Sequence, residues 1–289
     1  FTNLDKVIWE NPLIHKEGLL SYLCEMSSYM LPFLRERILT TIRYPNGIKG
    51  ESFFQKNCPD YAPSFIQTIE KEGTHFIVCD DISTLLWLGN QLAVEFHIPF
   101  QTIHEESPLE IVFDLDPPSR AHFSLAIKAA VEMKRIFDGL GIVSFPKLSG
   151  SKGIQIHIPI SNLPLSYSDT RIFTSFISNY LIEQFPDDFT IERFKKNRGG
   201  RLYIDYVQHA EGKTLICPYS TRGKEDATVA APLYWDEVND NLKIETFNIP
   251  FVLNRMEKIK CPMENYFEHN NSSLMDIIFT LKEKNNYRN

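Results

Sequence analysis

The stretch EIVFDLDPP, residues 110–118, is a short run of β-branched and aromatic residues that predicts a strand ending in two carboxylates. Alternate residues of a strand point to the same face, so Asp114 and Asp116 project together while Leu115 points into the core. Neighbouring carboxylates raise each other's pKa, and a hard divalent cation removes that penalty. Since Asp and Pro are also common turn residues, this stretch alone leaves a metal site and a solvated turn open.

Elements that follow this strand predict an α+β fold. A helix over 119–138 is expected, with Ser119 as its cap and an inner stripe of four apolar residues: Phe123, Ile127, Val131 and Phe137. A strand, a second strand, a helix and a last strand are then expected over 142–150, 153–160, about 168–185 and 201–207. This order is typical of a split β-α-β core with helices on one face.

Residues before the strand predict an N-terminal α/β part packed on that core. Helices are expected over 15–34 and over 83–96, the second from a Ser cap, and 52–57 is expected to be a loop or short strand. The tail from Asn270 onward is expected to be loosely ordered at its end. The 289 residues are expected to form one composite domain in three parts: 1–105, 106–250 and 251–289.

A third carboxylate, Asp205, lies in the otherwise apolar run RLYIDYVQ, residues 201–208. It shares a strand face with Tyr203 and Val207. An acid in such a strand either pairs with a cation, such as Arg201, or binds a metal. Three strand-borne aspartates fit two-metal phosphoryl transfer, in which ions about 3.5–4 Å apart hold the attacking and leaving oxygens.

The segment LSGSKGIQIHI, residues 148–158, offers donors of the kind that a triphosphate needs. Gln155 and His157 form a polar face of the strand that follows, which is compatible with the same site. The segment is not a Walker motif, and a plain hairpin turn is its commonest explanation. The side-chain donors in the turn are Ser149, Ser151 and Lys152.

Charge and composition narrow the function classes. Residues 193–224 carry eight lysines and arginines against two acids, in a chain of net charge −7. This favours a local phosphate-binding surface, with a solvated loop as the ordinary alternative.

Five scattered cysteines without a C-x-x-C pair favour a reduced compartment and argue against a cysteine zinc site. No apolar run approaches the roughly 20 residues of a membrane span, and no signal peptide or G-x-S-x-G motif is visible. Since the first residue is Phe, a fragment of a longer chain is expected.

Segments along nearly the whole chain resemble one family. They are TNLDKVIW, TTIRYPNGIKGESFFQKN, CDDISTLLWLGNQLAVEFHIP, IVFDLDPP, KLSGSKGIQIHIPI, RGGRLYIDYVQHAEGKTLICPYSTRG and APLYWDEV. In this combination and order they resemble the polymerase domain of bacterial ligase D, in the archaeo-eukaryotic primase superfamily. The resemblance implies an RRM-like primase-polymerase core that extends or fills gaps at DNA ends with NTPs or dNTPs, usually preferring ribonucleotides, in non-homologous end joining.

The resemblance also implies cofactors and partners. Two divalent metal ions are expected, manganese in the first place and magnesium as the alternative. The expected partners are gapped or broken DNA with a 5′-phosphorylated downstream strand, the nucleotide, Ku, and a ligase domain in the same chain or in another. The expected location is the bacterial cytoplasm, at the nucleoid and away from membranes.

Site residues carry over by position. The metal-binding and catalytic carboxylates match Asp114, Asp116 and Asp205. Groups that contact the nucleotide or its phosphates match Ser149, Lys152, Arg222, Gln208 and His97. Residues near the template, the nucleotide and the downstream 5′-phosphate match Phe53, Phe54, Lys56, Lys6 and Lys16. The family often has His where this chain has Gln155, and His157 is displaced by two residues, so Gln155 is left out of the predicted site.

Three alternatives stay open. A catalytically silent module that bridges DNA ends would bind DNA without incorporating nucleotides. A true primase would start chains without a primer. A metal-dependent nuclease would also use clustered aspartates, and it would shorten labelled DNA.

Overall fold

The computed structural model describes residues 1–286 and divides the chain into two compact units. The first unit contains Phe1–His104, Thr214–Ala231 and Lys243–Cys261. The second contains Glu105–Lys213, Pro232–Leu242 and the residues from Pro262 onward. These units differ from the three predicted parts because Thr214–Ile216 pairs with a strand of the N-terminal sheet, so the chain returns to the first unit.

Thirteen strands and six helices are assigned in the described part of the chain. The strands are β1 (Val7–Glu10), β2 (Leu13–His15), β3 (Thr40–Arg43), β4 (Phe53–Gln55), β5 (Thr68–Lys71), β6 (Thr74–Ile77), β7 (Ala93–Pro99), β8 (Glu110–Asp116), β9 (Phe145–Leu148), β10 (Ile154–Pro159), β11 (Phe189–Thr190), β12 (Leu202–Asp205) and β13 (Thr214–Ile216). The helices are α1 (Lys16–Leu34), α2 (Ile82–Asn90), α3 (Phe123–Gly139), α4 (Tyr167–Gln184), α5 (Ile249–Met256) and α6 (Ser273–Asn286).

The first unit is built on a four-stranded antiparallel sheet of order β13-β7-β3-β4. Two hairpins, β1-β2 and β5-β6, belong to the same unit. Helix α1 buries one face that includes Tyr22 and Leu23, and it packs against α2. The helix expected over 15–34 and the short strand expected within 52–57 are confirmed by α1 and β4.

The helix predicted over 83–96 is wrong in its second half, because α2 ends at Asn90 and β7 follows. Its cap is not a serine: Asp81 accepts a hydrogen bond from the backbone N–H of Thr84 at 2.8 Å. Leu92, with a φ of 62°, turns the chain into the strand. Strand β7 is buried on both faces, and a buried run of this kind is easily mistaken for part of a buried helix.

The second unit holds a five-stranded sheet of order β11-β12-β8-β10-β9. Strand β8 is central and pairs antiparallel with β12 and β10, while β11 adds a parallel edge. This is the predicted split β-α-β order. Phe113 of β8 packs with Phe137 of α3 and Phe173 of α4, at ring-centroid distances of 5.8 and 6.3 Å. The helices therefore cover the sheet face opposite Asp114 and Asp116.

Three details of the second unit differ from expectation. Val131 is 46% exposed, so it does not belong to the inner stripe of α3; Ala126, Ala130 and Met133 are buried instead. Ser119 precedes a short 3₁₀ turn and makes no capping hydrogen bond. The tail forms helix α6 to Asn286, and the last three residues of the tail prediction lie outside the described residues.

Within residues 1–286, no helix is long and apolar enough to cross a membrane.

Candidate active site

The three predicted aspartates lie on two paired strands of the second unit. Asp114 and Asp116 are alternate residues of β8, and β12 runs antiparallel beside them. In this register Asp205 lies opposite Asp114, and Tyr203 lies opposite Asp116. Cross-strand partners have Cβ atoms about 4.5–5.5 Å apart, so Asp114 has a carboxylate neighbour both along its strand and across from it.

This crowding shows in the ionisation of two of the carboxylates. Burial, followed by the charges of Asp116 and Asp205, raises the pKa of Asp114 to about 7. Burial also raises the pKa of Asp205, against hydrogen bonds from the Tyr203 hydroxyl and the Gln208 backbone N–H. A cation placed among these groups would relieve the repulsion, because it favours the charged form of each carboxylate.

Two side-chain cations already pair with Asp116. Lys152 Nζ lies 2.9 Å from one carboxylate oxygen, and Arg198 Nη1 lies 3.3 Å from the other. Lys152 also donates to the carbonyl of Pro117 at 2.7 Å, and the Arg198 guanidinium lies 4.0 Å from the centroid of the Tyr203 ring. Asp116 is therefore neutralised by the protein itself, whereas Asp114 is not.

The donor set fits a hard divalent ion in its chemistry. Carboxylate oxygens are the ligands that manganese and magnesium take, and three of them share this sheet face. In the described part of the chain, however, no group of three or more His, Cys, Asp or Glu side chains is arranged to hold a metal ion. Lys152 and Arg198 each contact one oxygen of Asp116, so a metal at this carboxylate would compete with both cations.

The predicted phosphate-binding turn, residues 149–153, lies beside Asp116 through Lys152. Ser149 Oγ accepts hydrogen bonds from three backbone N–H groups of the turn, at 3.0–3.3 Å. A Cβ at Gly153 would lie 2.1 Å from the Leu115 carbonyl oxygen, so only glycine fits there. The Ser149 hydroxyl thus organises the turn, and its predicted contact with a phosphate stays a prediction.

Two polar residues of this sheet face join the aspartates: Gln155, which was left out of the predicted site, and Lys147, which was not considered. Gln155 Nε2 donates to Asp114 Oδ1 at 3.1 Å, and Lys147 Nζ donates to Gln155 Oε1 at 2.6 Å. Lys147 is fully buried. The signal lay in the strand register, because Gln155 pairs with Asp114 on one side and with Lys147 on the other.

His157 does not join the aspartates. Its Nδ1 lies 3.1 Å from a carboxylate oxygen of Glu110, and the same oxygen accepts from the Tyr266 hydroxyl at 3.1 Å. Glu110 is at the opposite end of β8 from Asp116. The polar face expected from Gln155 and His157 is thus divided between two separate clusters.

The predicted nucleotide residues His97 and Arg222 meet in the first unit, at a carboxylate that was not predicted. Glu95 is buried; one oxygen lies 3.0 Å from His97 Nε2, and the other lies 3.4 Å from Arg222 Nε and accepts from the Gly223 N–H at 2.9 Å. Burial opposes ionisation, but these donors together hold the pKa of Glu95 below its ordinary value. The signal was an acid two residues before His97 on the same strand face.

The remaining predicted residues also lie in the first unit. Phe53 and Phe54 are exposed on β4, and the Arg43 guanidinium lies 5.3 Å from the Phe53 ring centroid. Lys56 is exposed nearby in sequence. The two lysines predicted to bind a 5′-phosphate adjoin each other, since the Lys16 N–H donates to the Lys6 carbonyl at 2.8 Å.

Lys16 is more enclosed than expected of a phosphate ligand. Its ammonium donates to the Thr2 carbonyl at 2.7 Å, and its side chain is buried. Burial and the charge of Lys6 both lower the pKa of Lys16. An incoming anion would relieve the repulsion between the two ammonium groups.

We expect Asp114→Asn to stabilise the metal-free protein above neutral pH. The folded pKa is about 7 and an unfolded aspartate titrates near 3.9, so the native state holds the extra proton between about pH 4 and 7. The free energy of unfolding therefore falls as pH rises through this window. The amide removes that fall, which at about 1.36 kcal/mol for each pKa unit is about 4 kcal/mol at pH 8.

Urea denaturation in EDTA at pH 5 and at pH 8 measures this difference. Asp138→Asn is the control, because Asp138 is a surface partner of Lys134 on α3. If the gain from Asp114→Asn is equal at both pH values, the raised pKa is not its cause.

Comparison with known proteins adds to this geometry. The family model for the LigD primase-polymerase domain matches residues 15–263. The chain is 54% identical over 285 residues to the bifunctional non-homologous end joining protein LigD of Bacillus subtilis, covering 98% of this chain and 47% of that protein. It is 30% identical over 264 residues to the multifunctional non-homologous end joining protein LigD of Mycolicibacterium smegmatis, covering 89% of this chain and 34% of that protein. The chain thus spans half or less of the length of these relatives.

A solved structure agrees in fold. The polymerase domain from Mycobacterium tuberculosis ligase D, in complex with DNA, superposes with a TM-score of 0.84 at 28% identity, covering 92% of this chain and 96% of that one. The resemblance drawn from the sequence motifs and the predicted fold class are both confirmed.

Proposed function

The chain belongs to the LigD primase-polymerase domain family, and from that premise we propose that it extends or fills gaps at DNA ends in non-homologous end joining, by template-directed nucleotidyl transfer. The observation that carries the proposal is the carboxylate group Asp114, Asp116 and Asp205 on the open face of a split β-α-β sheet. Two cations, Lys152 and Arg198, lie beside these carboxylates.

The family is a metal-dependent polymerase domain, and the three aspartates would hold the metal. Bound manganese or magnesium supplies Lewis-acid activation of the primer 3′-hydroxyl and charge neutralisation at the triphosphate. The protein binds and orients the reactants: Lys152 leaves Asp116 for the triphosphate oxygens, and the Gln208 backbone N–H keeps Asp205 in place. Arg222 and His97, fixed by Glu95, bind the nucleotide.

The partners proposed for this chain follow its relatives. The M. tuberculosis neighbour was solved with DNA, and the curated relatives are longer end-joining proteins. We assign to this chain gapped or broken DNA with a 5′-phosphorylated downstream strand, NTPs or dNTPs, Ku and a ligase domain. The site of action is the nucleoid in the bacterial cytoplasm.

Extension of a 5′-labelled primer on a gapped duplex tests the proposal, with each NTP and dNTP and with manganese or magnesium. Template-dependent lengthening is expected. DNA binding without incorporation would instead favour an end-bridging module, products without a primer would indicate a primase, and shortening of the labelled strand would indicate a nuclease.

Replacing both lysines of the first unit, Lys6→Ala with Lys16→Ala, should erase the preference for 5′-phosphorylated gaps. A terminal phosphate carries more charge than an internal one, and removing one lysine–phosphate interaction makes the slope of log affinity against log salt shallower by about one unit. Basal extension on an unphosphorylated template should remain. Affinities for phosphorylated and unphosphorylated gaps, measured across a salt series, give the preference.

Lys49→Ala is the matched control, since Lys49 is exposed and already paired with Glu10. A thermal melt of each variant shows whether the loss of the buried Lys16 side chain disturbs the fold. If a folded double variant keeps the wild-type preference, Lys6 and Lys16 do not bind the 5′-phosphate.

A further inference from the structure

An exposed aromatic ring lies inside the most basic segment of the second unit. Phe194 is 68% exposed, and Arg193, Lys195 and Lys196 are exposed around it. Among the described residues, none forms an ion pair with these three cations. The nucleotidyl-transfer mechanism uses none of the four residues. A solvent-facing ring among cations, in a chain of net charge −7, has the chemistry of a surface for a flat, anionic ligand.

The segment is tied to the candidate active site by one buried side chain. Arg198 Nε donates to the Glu192 carbonyl and Nη2 to the Arg193 carbonyl, each at 3.0 Å, which fixes the two ends of the turn that carries Phe194. The remaining nitrogen, Nη1, lies 3.3 Å from Asp116. A ligand on Phe194 therefore lies next to the strand that carries the catalytic carboxylates.

Single-stranded nucleic acid has the chemistry that this surface recognises. Unpaired bases stack on aromatic rings whatever their sequence, and lysines and arginines contact the phosphates on either side. A paired duplex hides its base faces, so stacking distinguishes an overhang or a gap from a blunt end. An apolar protein partner would gain nothing from three surrounding cations.

We propose that residues 193–196 form a single-strand binding platform beside the active site. Phe194 stacks on an unpaired base, and Arg193, Lys195 and Lys196 contact the flanking phosphates. The platform rests on the proposed function, because that function brings DNA ends with unpaired bases to Asp116.

Binding to a duplex with a single-stranded overhang, compared with the same duplex blunt-ended, tests the platform. Phe194→Ala should weaken overhang binding about tenfold and leave blunt-end binding unchanged, since one stacked base contributes about 1–3 kcal/mol. Phe279→Ala is the matched control: that ring is 62% exposed on α6, and it should change neither affinity.

Two further variants separate stacking from charge. Phe194→Trp should bind the overhang duplex with wild-type affinity. On binding, its tryptophan fluorescence should fall by more than that of the wild-type protein. Changing Arg193, Lys195 and Lys196 together to Gln should make the salt slope for single strands shallower by about two units, while Phe194→Ala leaves that slope unchanged.

Equal effects of Phe194→Ala on overhang and blunt ends, or an unquenched Phe194→Trp, would overturn the platform. These readouts need no catalysis, and wild-type primer extension is measured separately. A wild-type protein that stacks the overhang but incorporates no nucleotide would refute the proposed function alone.

Discussion

Asp114→Ala and Asp116→Ala should each reduce nucleotide incorporation about a thousandfold or more while primer-template affinity is preserved. Each removes a carboxylate that would hold the metal, and metal-derived stabilisation is several kcal/mol, at about 1.36 kcal/mol for each tenfold in rate. We expect neither carboxylate to contact DNA. Asp116→Ala also frees Lys152 and Arg198, so its DNA affinity should hold or rise, not fall.

Primer extension under single-turnover conditions and a separate DNA-binding titration measure the two effects. Asp138→Ala is the control, because it removes an acid from the surface of α3 and leaves the sheet intact. Near-wild-type incorporation by either variant would rule out the carboxylate site. If DNA affinity is lost together with activity, the two aspartates have a structural role rather than a catalytic one.

The strands that carry these aspartates were predictable because strand geometry has a fixed period. Alternation put Asp114 and Asp116 on one face and Leu115 on the other, and the structure buries Leu115 completely. The same rule placed Asp205 on the open face of β12. That Asp205 lies opposite Asp114 follows from strand pairing, which the spacing in the sequence does not contain.

Prediction failed where burial was continuous or where a residue acts through a neighbour. Strand β7 is buried on both faces, and the two polar residues that alternate along it, Glu95 and His97, were not recognised as a strand pattern. The helix in the first half of 83–96 was therefore extended too far. Glu95 was not singled out, and it lay inside the segment predicted as a helix. Its role becomes visible only when His97 and Arg222, far apart in sequence, are seen on the same carboxylate.

Gln155 shows the limit of motif comparison. The family often has His at this position, and the nearest histidine, His157, was the natural substitute to consider. In the observed register His157 contacts Glu110, and Gln155 donates a hydrogen bond to Asp114. The amide orientation is fixed because Gln155 Oε1 accepts from Lys147, so the NH₂ group must face the aspartate.

Gln155→Leu should lower the free energy of unfolding by about 2–3 kcal/mol and also impair extension. Lys147 would stay buried without its amide acceptor, and hydrogen bonds to charged groups contribute about 1.5–3 kcal/mol. Asp114 would lose the donor that orients it. This single variant cannot separate the two consequences, but a double variant can.

Lys147→Met with Gln155→Leu should recover most of the lost stability and none of the lost activity. Replacing both partners of a buried polar pair by apolar groups is often neutral, whereas removing one is costly. Unfolding is measured at pH 6, where Asp114, with a pKa of about 7, is mostly protonated and needs no compensating ammonium. Primer extension by the double variant should stay about tenfold or more below wild type. Its kcat should be lower and its manganese requirement higher, with little change in the KM for nucleotide.

Gln155→His, which keeps a donor beside Asp114, should retain most activity. If the double variant regains wild-type extension along with its stability, the pair of Lys147 and Gln155 supports the fold alone.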